Sequence, residues 1–263
     1  LEEIGAGAYG TVYRARNRSS LQTVALKRIR GAFDNPTDAQ RTFREVLTLR
    51  ALQGHPYINA LIEVMTAGNG RDLYLVLEFV PADLSSLFGM AGLEMDHIVA
   101  IIYQLVTALN FLHSGGIVHR DLKPSNVLIS YSCEVKLCDF GLARSLGADP
   151  LHSIHFEQKE EGEKSSEVIF KESETRPPMT ERISTRWYRA PELLFERGDY
   201  GREVDIWALG CIFGELVAGE PLFPGRDSAD QLSKVLQGMQ GSADSPCSIQ
   251  KRLSLEGPAL DFL

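Results

Sequence analysis

The stretch "HRDLKPSN", residues 119–126, together with the "CDFG" that follows it, decides how the whole sequence is interpreted. These segments supply Asp121, Lys123, Asn126 and Asp139, which are two carboxylates, an amide and an ammonium group. Transfer of a phosphoryl group needs an acceptor for a hydroxyl proton, a cation beside the phosphates and oxygen ligands for Mg²⁺. The four side chains provide all of these groups, so the sequence predicts a site that handles nucleotide phosphates.

Segments on either side strengthen this interpretation. "APE" follows "CDFG", and HRD with an asparagine five residues after its aspartate, then DFG, then APE is a specific combination. Upstream, "GAGAYG" carries Gly5, Gly7 and Gly10, and glycine lets a backbone approach phosphates closely. A dinucleotide-binding turn would lead into a helix, but the following residues alternate as in a strand. Lys27, in "VALK", then fits a lysine that holds phosphates near a glycine-rich hairpin.

Hydrophobic periodicity predicts a small β-rich part followed by a larger helical part. "TVYRARN", "TVALKRI" and "DLYLVLEFV" alternate as strands do, whereas "TDAQRTFREVLTLRAL" has helical spacing with Thr37 as its N-cap. After Pro81, "HIVAIIYQLVTALNFLHSGG" and "EVDIWALGCIFGELVAG" are predicted helices, and the second is apolar on nearly all sides. The prediction is an α+β fold with two lobes, residues 1–79 and residues 80–263.

Composition argues against several classes of function. The chain has 263 residues, 44% of them hydrophobic, which suffices for a substantial core. A net charge of −8 argues against nucleic acid as a partner. No apolar run is expected to reach the length of a membrane span and no signal peptide is recognised, so no membrane partner is expected. The four cysteines lack CxxC or metal-binding spacing, which favours a reduced intracellular protein.

Taken together, these motifs resemble a eukaryotic protein kinase domain. "TRWYRAPELL" and "GELVAGEPLFPG" are similar to the group that contains the mitogen-activated and cyclin-dependent kinases. Within it, "TDAQRTFREV" and "RDLYLVLEFVPADL" look most like the atypical extracellular-signal-regulated kinases, the seven/eight branch of the mitogen-activated protein kinases. A cyclin-dependent kinase is the nearest alternative, although its characteristic cyclin-binding helix sequence is missing. The resemblance implies a bilobal serine/threonine protein kinase that uses ATP and Mg²⁺ in a signalling cascade and phosphorylates Ser or Thr followed by Pro.

The resemblance also implies a role for each matching residue. The catalytic group, in which Lys27 would pair with Glu45 and Asp121 would take the hydroxyl proton, comprises Lys27, Glu45, Asp121, Lys123 and Thr185. The residues around the adenine, hinge, ribose and phosphates of ATP would be Ile4, Gly5, Gly7, Gly10, Val12, Ala25, Lys27, Leu77, Glu78, Val80, Asp83 and Leu128. The Mg²⁺ ligands would be Asn126 and Asp139.

The segment "MTERISTRWYRAPE" is implied to be an activation switch. Where mitogen-activated protein kinases carry Thr-x-Tyr, this sequence has Thr180 followed by Glu181, with Arg182 in place of the tyrosine. Because Arg182 cannot accept a phosphate, the sequence predicts a single-site switch at Thr180, phosphorylated by an upstream kinase or by the enzyme itself. The phosphate would be held by four arginines, Arg41, Arg44, Arg120 and Arg144. The substrate pocket would be shaped by Arg186 and Arg189.

Other features depart from the family's pattern. Residues 147–178 are rich in charge, Ser and Pro, which predicts a mobile insertion between DFG and APE. The region after "LFPG" is short and "ALDFL" resembles only the start of a later helix, so the second lobe is expected to be incomplete, with an exposed apolar face. The chain opens on Leu1, as a fragment would. A catalytically weak kinase-fold scaffold is therefore the alternative function, and the expected location is the cytoplasm, the nucleus or both.

Overall fold

The computed structural model describes residues 1–7, 10–88, 93–147, 183–195 and 200–239. Thr180, Arg182 and almost all of the predicted insertion at 147–178 lie outside the described residues, as does "ALDFL". The backbone of Thr185 is described, but its side chain lies outside the described part of the chain.

The first part of the chain forms a five-stranded antiparallel sheet with one helix. Its strands, in the spatial order β1-β2-β3-β5-β4, are β1 (Glu2–Gly7), β2 (Gly10–Arg16), β3 (Thr23–Ile29), β4 (Leu61–Thr66) and β5 (Leu73–Glu78). Helix α1 (Pro36–Ala51) lies between β3 and β4 in the chain. Leu49 of α1 belongs to the same buried cluster as Leu61 and Leu75, so the helix and the sheet share one core.

Helix α1 begins earlier than the sequence analysis predicts. Its N-cap is Asn35, whose side-chain oxygen accepts a hydrogen bond from the backbone N–H of Asp38 at 2.8 Å, and Pro36 occupies the first turn. The prediction that Thr37 caps the helix is therefore wrong. Asparagine caps at least as well as threonine, and proline suits the first helical position because it has no N–H to satisfy.

One glycine of the "GAGAYG" turn is required by the sheet itself. Gly10 has a φ of +157°, and a Cβ on this residue would lie 2.1 Å from the carbonyl oxygen of Arg28 in β3. Any other residue would force the two strands apart. This close approach fixes the β2–β3 pairing, in which Val12 lies opposite Lys27.

The rest of the described chain is mainly helical. It contains α2 (Met95–Ser114), α3 (Pro191–Leu194), α4 (Glu203–Ala218) and α5 (Ser228–Met239), and α2 packs on α4. Short strands β6 (Ala82–Asp83), β8 (Val127–Ile129) and β9 (Val135–Leu137) form one small sheet, and β7 (Ile117–Val118) pairs with β10 (Arg144–Ser145). The predicted α+β architecture, strands first and helices afterwards, is confirmed. The lobe limits at 79 and 80 stay a prediction.

Helix α2 corrects one expectation. By length and composition it could cross a membrane, so the statement that no apolar run reaches that length is wrong. Its central residues include Ile101, Leu105 and Leu112, which are completely buried in the shared core. In the described structure α2 therefore serves as a core helix.

Candidate active site

A buried carboxylate in the first turn of α4 holds the backbone of the "HRD" segment. Asp205 is 1% exposed, and it accepts hydrogen bonds from the backbone N–H groups of His119 and Arg120, both at 2.8 Å. Nε2 of His113 in α2 lies 2.8 Å from the same carboxylate. Arg120 has a φ of +68°, which non-glycine residues rarely adopt and which these contacts hold in place. Asp205 thereby fixes the backbone from which Asp121 projects.

Asp205 is not among the site residues predicted from the sequence, because the apolar pattern of this helix indicates only a place in the core. A signal was nevertheless present. A carboxylate on a helix that is apolar on nearly all sides must be buried, and a buried charge needs partners that its own helix cannot supply. His113, near the end of the apolar helix α2, is likewise a polar side chain that must find a partner on another segment.

Asp121, Lys123 and Asn126 form one hydrogen-bonded group. Nζ of Lys123 lies 2.7 Å from Oδ2 of Asp121. Nδ2 of Asn126 donates to the carbonyl oxygen of Asp121 at 2.8 Å and to its Oδ2 at 3.0 Å. The short 3₁₀ turn Pro124–Asn126 brings this amide back onto the aspartate. Among the described residues these contacts engage Oδ2, which leaves Oδ1 of Asp121 as the oxygen that can accept a further hydrogen bond.

His119 connects this group to the "CDFG" segment. The residue is fully buried, its Nε2 lies 3.0 Å from the carbonyl oxygen of Cys138, and its ring meets that of Phe140 edge-on with centroids 5.0 Å apart. Between these two contacts, Asp139 has a left-handed backbone with φ 62° and ψ 72°. Contacts on both sides hold Asp139 in this uncommon conformation.

Lys27, Glu45 and Asp139 bring three separate elements together. Nζ of Lys27, on β3, lies 2.6 Å from Oε1 of Glu45, on α1, and 3.6 Å from Oδ1 of Asp139. Burial acts to lower the pKa of Lys27, but the two carboxylates outweigh it and raise that pKa. Burial acts to raise the pKa of Asp139, but Lys27 and Arg41 outweigh it and hold that pKa at about 2. At neutral pH the ammonium is charged and the Asp139 carboxylate is ionised.

The residues implied to surround a nucleotide lie on neighbouring strands. The large sheet carries Ile4, Gly5, Gly7, Gly10, Val12, Ala25 and Leu77. Ala25 on β3 pairs with Leu77 on β5, and Asp83 on β6 pairs with Leu128 on β8. Val80 follows β5 in the segment that joins the two lobes. The structure therefore groups these positions on the large sheet and on the small sheet next to the lobe junction.

Glu78, the last residue of β5, is held from three directions. Its backbone N–H donates to the carbonyl oxygen of Ala60 at 2.9 Å, and its own carbonyl oxygen accepts from Nδ2 of Asn59 at 3.3 Å. Its side chain forms an ion pair with Lys136 of β9 at 3.0 Å. Since the N–H is already used, the carbonyl is the backbone group through which Glu78 can contact a ligand.

Three of the four arginines assigned to a phosphate each contact one residue of the segment 141–143. Arg41 packs so tightly on Gly141 that a Cβ there would lie 2.6 Å from its Nε. Arg120 donates to the carbonyl oxygen of Leu142 at 3.4 Å and stacks over a tyrosine ring, and Arg144 donates to the carbonyl oxygen of Ala143 at 3.0 Å. Arg44 lies on α1, one turn after Arg41. The threonine they are predicted to serve, Thr180, lies outside the described residues.

The segment before α3 is anchored by side chains that point into the second lobe. Arg186 is 8% exposed and its Nη1 donates to the carbonyl oxygen of Arg226 at 2.6 Å, while Nε1 of Trp187 donates to that of Gly225 at 3.0 Å. The hydroxyl of Tyr188 donates to Glu215 of α4 at 2.5 Å. Arg189, the other predicted pocket residue, donates its backbone N–H to the carbonyl oxygen of Arg186 at 3.1 Å. This packing gives the chain after Thr185 a fixed shape.

Comparison with known proteins identifies the family. Residues 1–262 match the family described as "Protein kinase domain". The chain is 44% identical to extracellular signal-regulated kinase 2 of Dictyostelium discoideum over 237 residues, or 90% of this chain and 59% of that protein. It is 44% identical to mitogen-activated protein kinase 15 of Caenorhabditis elegans over 236 residues, or 89% of this chain and 46% of that protein. It is 41% identical to extracellular signal-regulated kinase 7 of Drosophila melanogaster over 239 residues, or 90% of this chain and 24% of that protein.

The chain thus spans less than two thirds of the length of each of these relatives. All three relatives carry mitogen-activated or extracellular signal-regulated kinase names, which confirms the resemblance found in the sequence. The match to the family covers nearly every residue of the chain and includes each motif of the site. The chain therefore belongs to the protein kinase family.

Proposed function

We propose that this protein is an ATP-dependent serine/threonine protein kinase of the mitogen-activated type that acts in a signalling cascade. The observation that carries the proposal is the contact of Lys27 with both Glu45 and Asp139. Removing charges from water costs free energy that a buried pair does not always recover. A scaffold that binds nucleotide could also use this triad, but it would need no proton acceptor such as Asp121, which lies 2.7 Å from Nζ of Lys123. Phosphoryl transfer requires both. The geometry therefore favours the enzyme over the catalytically weak scaffold.

The proposed catalytic residues would carry out an in-line transfer. The hydroxyl oxygen of a Ser or Thr substrate forms a bond to the γ-phosphorus of ATP, and the bond from that phosphorus to the β–γ bridging oxygen breaks, so that ADP leaves. Asp121 orients the hydroxyl and accepts its proton. Lys123, 2.7 Å from Asp121, stabilises the charge on the transferred group, and Lys27 holds the other phosphates.

The donor set next to Asp139 fits Mg²⁺. Asp139 is ionised, because its pKa is held at about 2, and Asn126 contributes an amide oxygen. The backbone N–H of Cys138 donates to the carbonyl oxygen of Asn126 at 3.0 Å, so the two ligand residues belong to neighbouring segments. Mg²⁺ prefers such oxygen donors, usually one or two from the protein together with phosphate oxygens. When bound, the ion would neutralise charge on the phosphates.

Substrate choice and regulation follow the same proposal. The enzyme phosphorylates Ser or Thr followed by Pro, a choice supported by the relatives' names and by the fixed, buried Arg186. Phosphate on Thr180, from an upstream kinase or from the enzyme itself, is bound by the four arginines assigned to it, three of which contact residues 141–143. Arg182 makes this a single-site switch. The protein works in the cytoplasm, the nucleus or both.

The test of activity uses ATP labelled at the γ-phosphate, Mg²⁺ and a basic protein substrate. The wild type should transfer phosphate, and Asp121→Asn and Asp139→Asn should lose about a hundredfold or more in rate. The control is Asp96→Asn, an exposed carboxylate of α2, which should behave as the wild type does. ATP should still raise the melting temperature of Asp121→Asn. If ATP raises the melting temperature of the wild type but no phosphate is transferred, the catalytically weak scaffold becomes the better explanation and the kinase proposal is wrong.

The finer proposals need two further measurements. Paired peptides that differ only in Pro or Ala after the target Ser should differ strongly in kcat/KM, and equal values would remove the proline preference. Mass spectrometry of the active form should find phosphate on Thr180, and Thr180→Ala should lose activity. An active form without that phosphate would contradict the switch.

A further inference from the structure

Asn59 lies between the lobe junction and the strand that leads to Asp139. It is 2% exposed, and its backbone N–H donates to the carbonyl oxygen of Leu137 in β9 at 3.0 Å. The preceding residue, Ile58, forms a parallel bridge with the same Leu137. The side-chain Nδ2 of Asn59 donates to the carbonyl oxygen of Glu78 at 3.3 Å. One residue therefore contacts both the segment that joins the lobes and the strand before "CDFG".

The side chain of Asn59 is a poor choice for packing alone. Its Oδ1 is buried and has no hydrogen-bond partner among the described residues. An unpaired buried amide oxygen is unfavourable, and a leucine, which has the same branched arrangement of heavy atoms, would avoid it. A residue type that lowers stability at its own position indicates that the position has a functional role. The useful part of this amide is then its Nδ2, which holds the Glu78 carbonyl.

That carbonyl is the backbone group of Glu78 that remains available to a ligand. The N–H of Glu78 is engaged by Ala60, while a carbonyl oxygen has two lone pairs, of which Asn59 uses one. The second can accept a hydrogen bond from an amino group. The 6-amino group of adenine supplies such a donor, whereas the 6-oxo group of guanine presents an acceptor and would be repelled.

We propose that Asn59 is a positioning residue that fixes the Glu78 carbonyl for the amino group of adenine and so favours ATP over GTP. The proposal rests on the proposed function, because it concerns the nucleotide of that reaction. Its physical basis is preorganisation: a carbonyl already held in direction loses less freedom when the ligand binds.

The test replaces Asn59 with leucine, which removes the donor and the unpaired oxygen while keeping the same number and branching of side-chain heavy atoms. In the full chain, Asn59→Leu should raise the KM for ATP by about three- to tenfold, the effect expected of one hydrogen bond. We expect little change in kcat or in the KM for GTP, so the preference for ATP over GTP falls. The melting temperature should stay close to that of the wild type, because the loss of the unpaired oxygen offsets the larger volume of leucine.

Gln104→Leu is the matched control. Gln104 is also a buried amide, but both ends of its side chain are used: Nε2 donates to the carbonyl oxygen of Cys133 at 2.8 Å, and Oε1 accepts from the N–H of Val135 at 3.0 Å. Its replacement should lower the melting temperature and leave the ATP/GTP preference intact. Asn59→Leu is thus expected to change the ATP/GTP preference without lowering the melting temperature, and Gln104→Leu to do the reverse.

Each outcome decides the matter. A higher KM for ATP in Asn59→Leu with a retained melting temperature and a reduced ATP/GTP preference supports the proposal. An unchanged KM for ATP overturns it, and so does a lower melting temperature accompanied by equal increases in KM for ATP and GTP. If phosphate transfer is too slow to follow, the dissociation constants of ATP and GTP, from thermal shift titrations, replace the KM values. A wild type that binds no ATP would refute the proposed function as well.

Discussion

Replacing Asp205 with asparagine should destabilise the protein strongly. Its carboxylate accepts from the backbone N–H groups of His119 and Arg120 and contacts Nε2 of His113, each at 2.8 Å, inside a site where Asp205 is 1% exposed. Asparagine keeps only one acceptor oxygen. Its amino group must therefore face one of the two backbone N–H groups, and that donor loses its partner where no water can replace it.

The expected magnitude follows from these contacts. A hydrogen bond to a charged group contributes about 1.5–3 kcal/mol, and a buried donor without a partner costs about 1–3 kcal/mol. Together they predict a loss of roughly 2.5–6 kcal/mol in the free energy of unfolding, a range that includes the cost of about 3–5 kcal/mol for breaking a buried ion pair. Because the φ of +68° at Arg120 is unfavourable, weakening the contacts that hold this backbone also lets Arg120 relax and moves Asp121.

Urea unfolding, followed by the fluorescence of the two tryptophans, measures the change. The control is Glu203→Gln, an exposed acidic residue in the same first turn of α4, which should change stability by no more than about 0.5 kcal/mol. In folded Asp205→Asn, kcat should fall far more than the affinity for ATP. A loss of stability below about 1 kcal/mol, or an equal loss in the control, would refute the reasoning.

Three further substitutions or modifications test other parts of the structure. Gly10→Ala should cost about 2 kcal/mol or more of stability, because its Cβ would lie 2.1 Å from a β3 carbonyl oxygen. A Cβ on Gly5 would meet no atom of the described residues within 4 Å beyond its chain neighbours, so Gly5→Ala should match the wild type in stability. Equal urea midpoints for the two variants would contradict this. Burial and the neighbouring carboxylate of Asp139 raise the pKa of the Cys138 thiol, so iodoacetamide at about pH 8 should label Cys133 before Cys138. Mass spectrometry that finds Cys138 labelled before Cys133 would contradict this. Hydrogen bonds from a guanidinium and from a backbone N–H lower the pKa of Asp72, so its carboxylate stabilises the fold above its ordinary pKa of about 4 and loses this effect as the pH falls through the lowered value. The difference in Tm between wild type and Asp72→Asn should therefore shrink from about pH 7 to about pH 3, and a constant difference would exclude this origin.

The sequence predicts features that depend on short-range order. Alternation over seven residues is enough to indicate strands such as β2 and β3, and the combination of HRD, DFG and APE indicates a protein kinase. The start of α1 shows the limit of such reasoning. Thr37 and Asn35 are both good caps, and the choice depends on whether Pro36 lies inside or outside the helix.

Other features depend on contacts between distant parts of the chain. Asp205 and His119 are 86 positions apart, and no periodicity connects them. Asn59 and Glu78 are 19 positions apart on different segments, and only the folded structure shows that the amide of one meets the carbonyl of the other. The sequence does show a polar side chain within an apolar segment, but it does not show which residue binds that side chain in the fold.

Three buried acidic side chains on helices hold the segments of the site in place. Glu45, Asp205 and Glu215 are each at most 4% exposed, and each binds a group on a segment that carries the site. Glu45 binds Lys27, Asp205 binds the backbone before Asp121, and Glu215 accepts from the hydroxyl of Tyr188, just after the segment of Thr185. Because leaving any of these carboxylates without its partner would be costly, each segment is held against a helix by more than apolar contact. Substitutions at these three positions should therefore reduce phosphoryl transfer by moving residues, even though Asp205 and Glu215 need not touch either substrate.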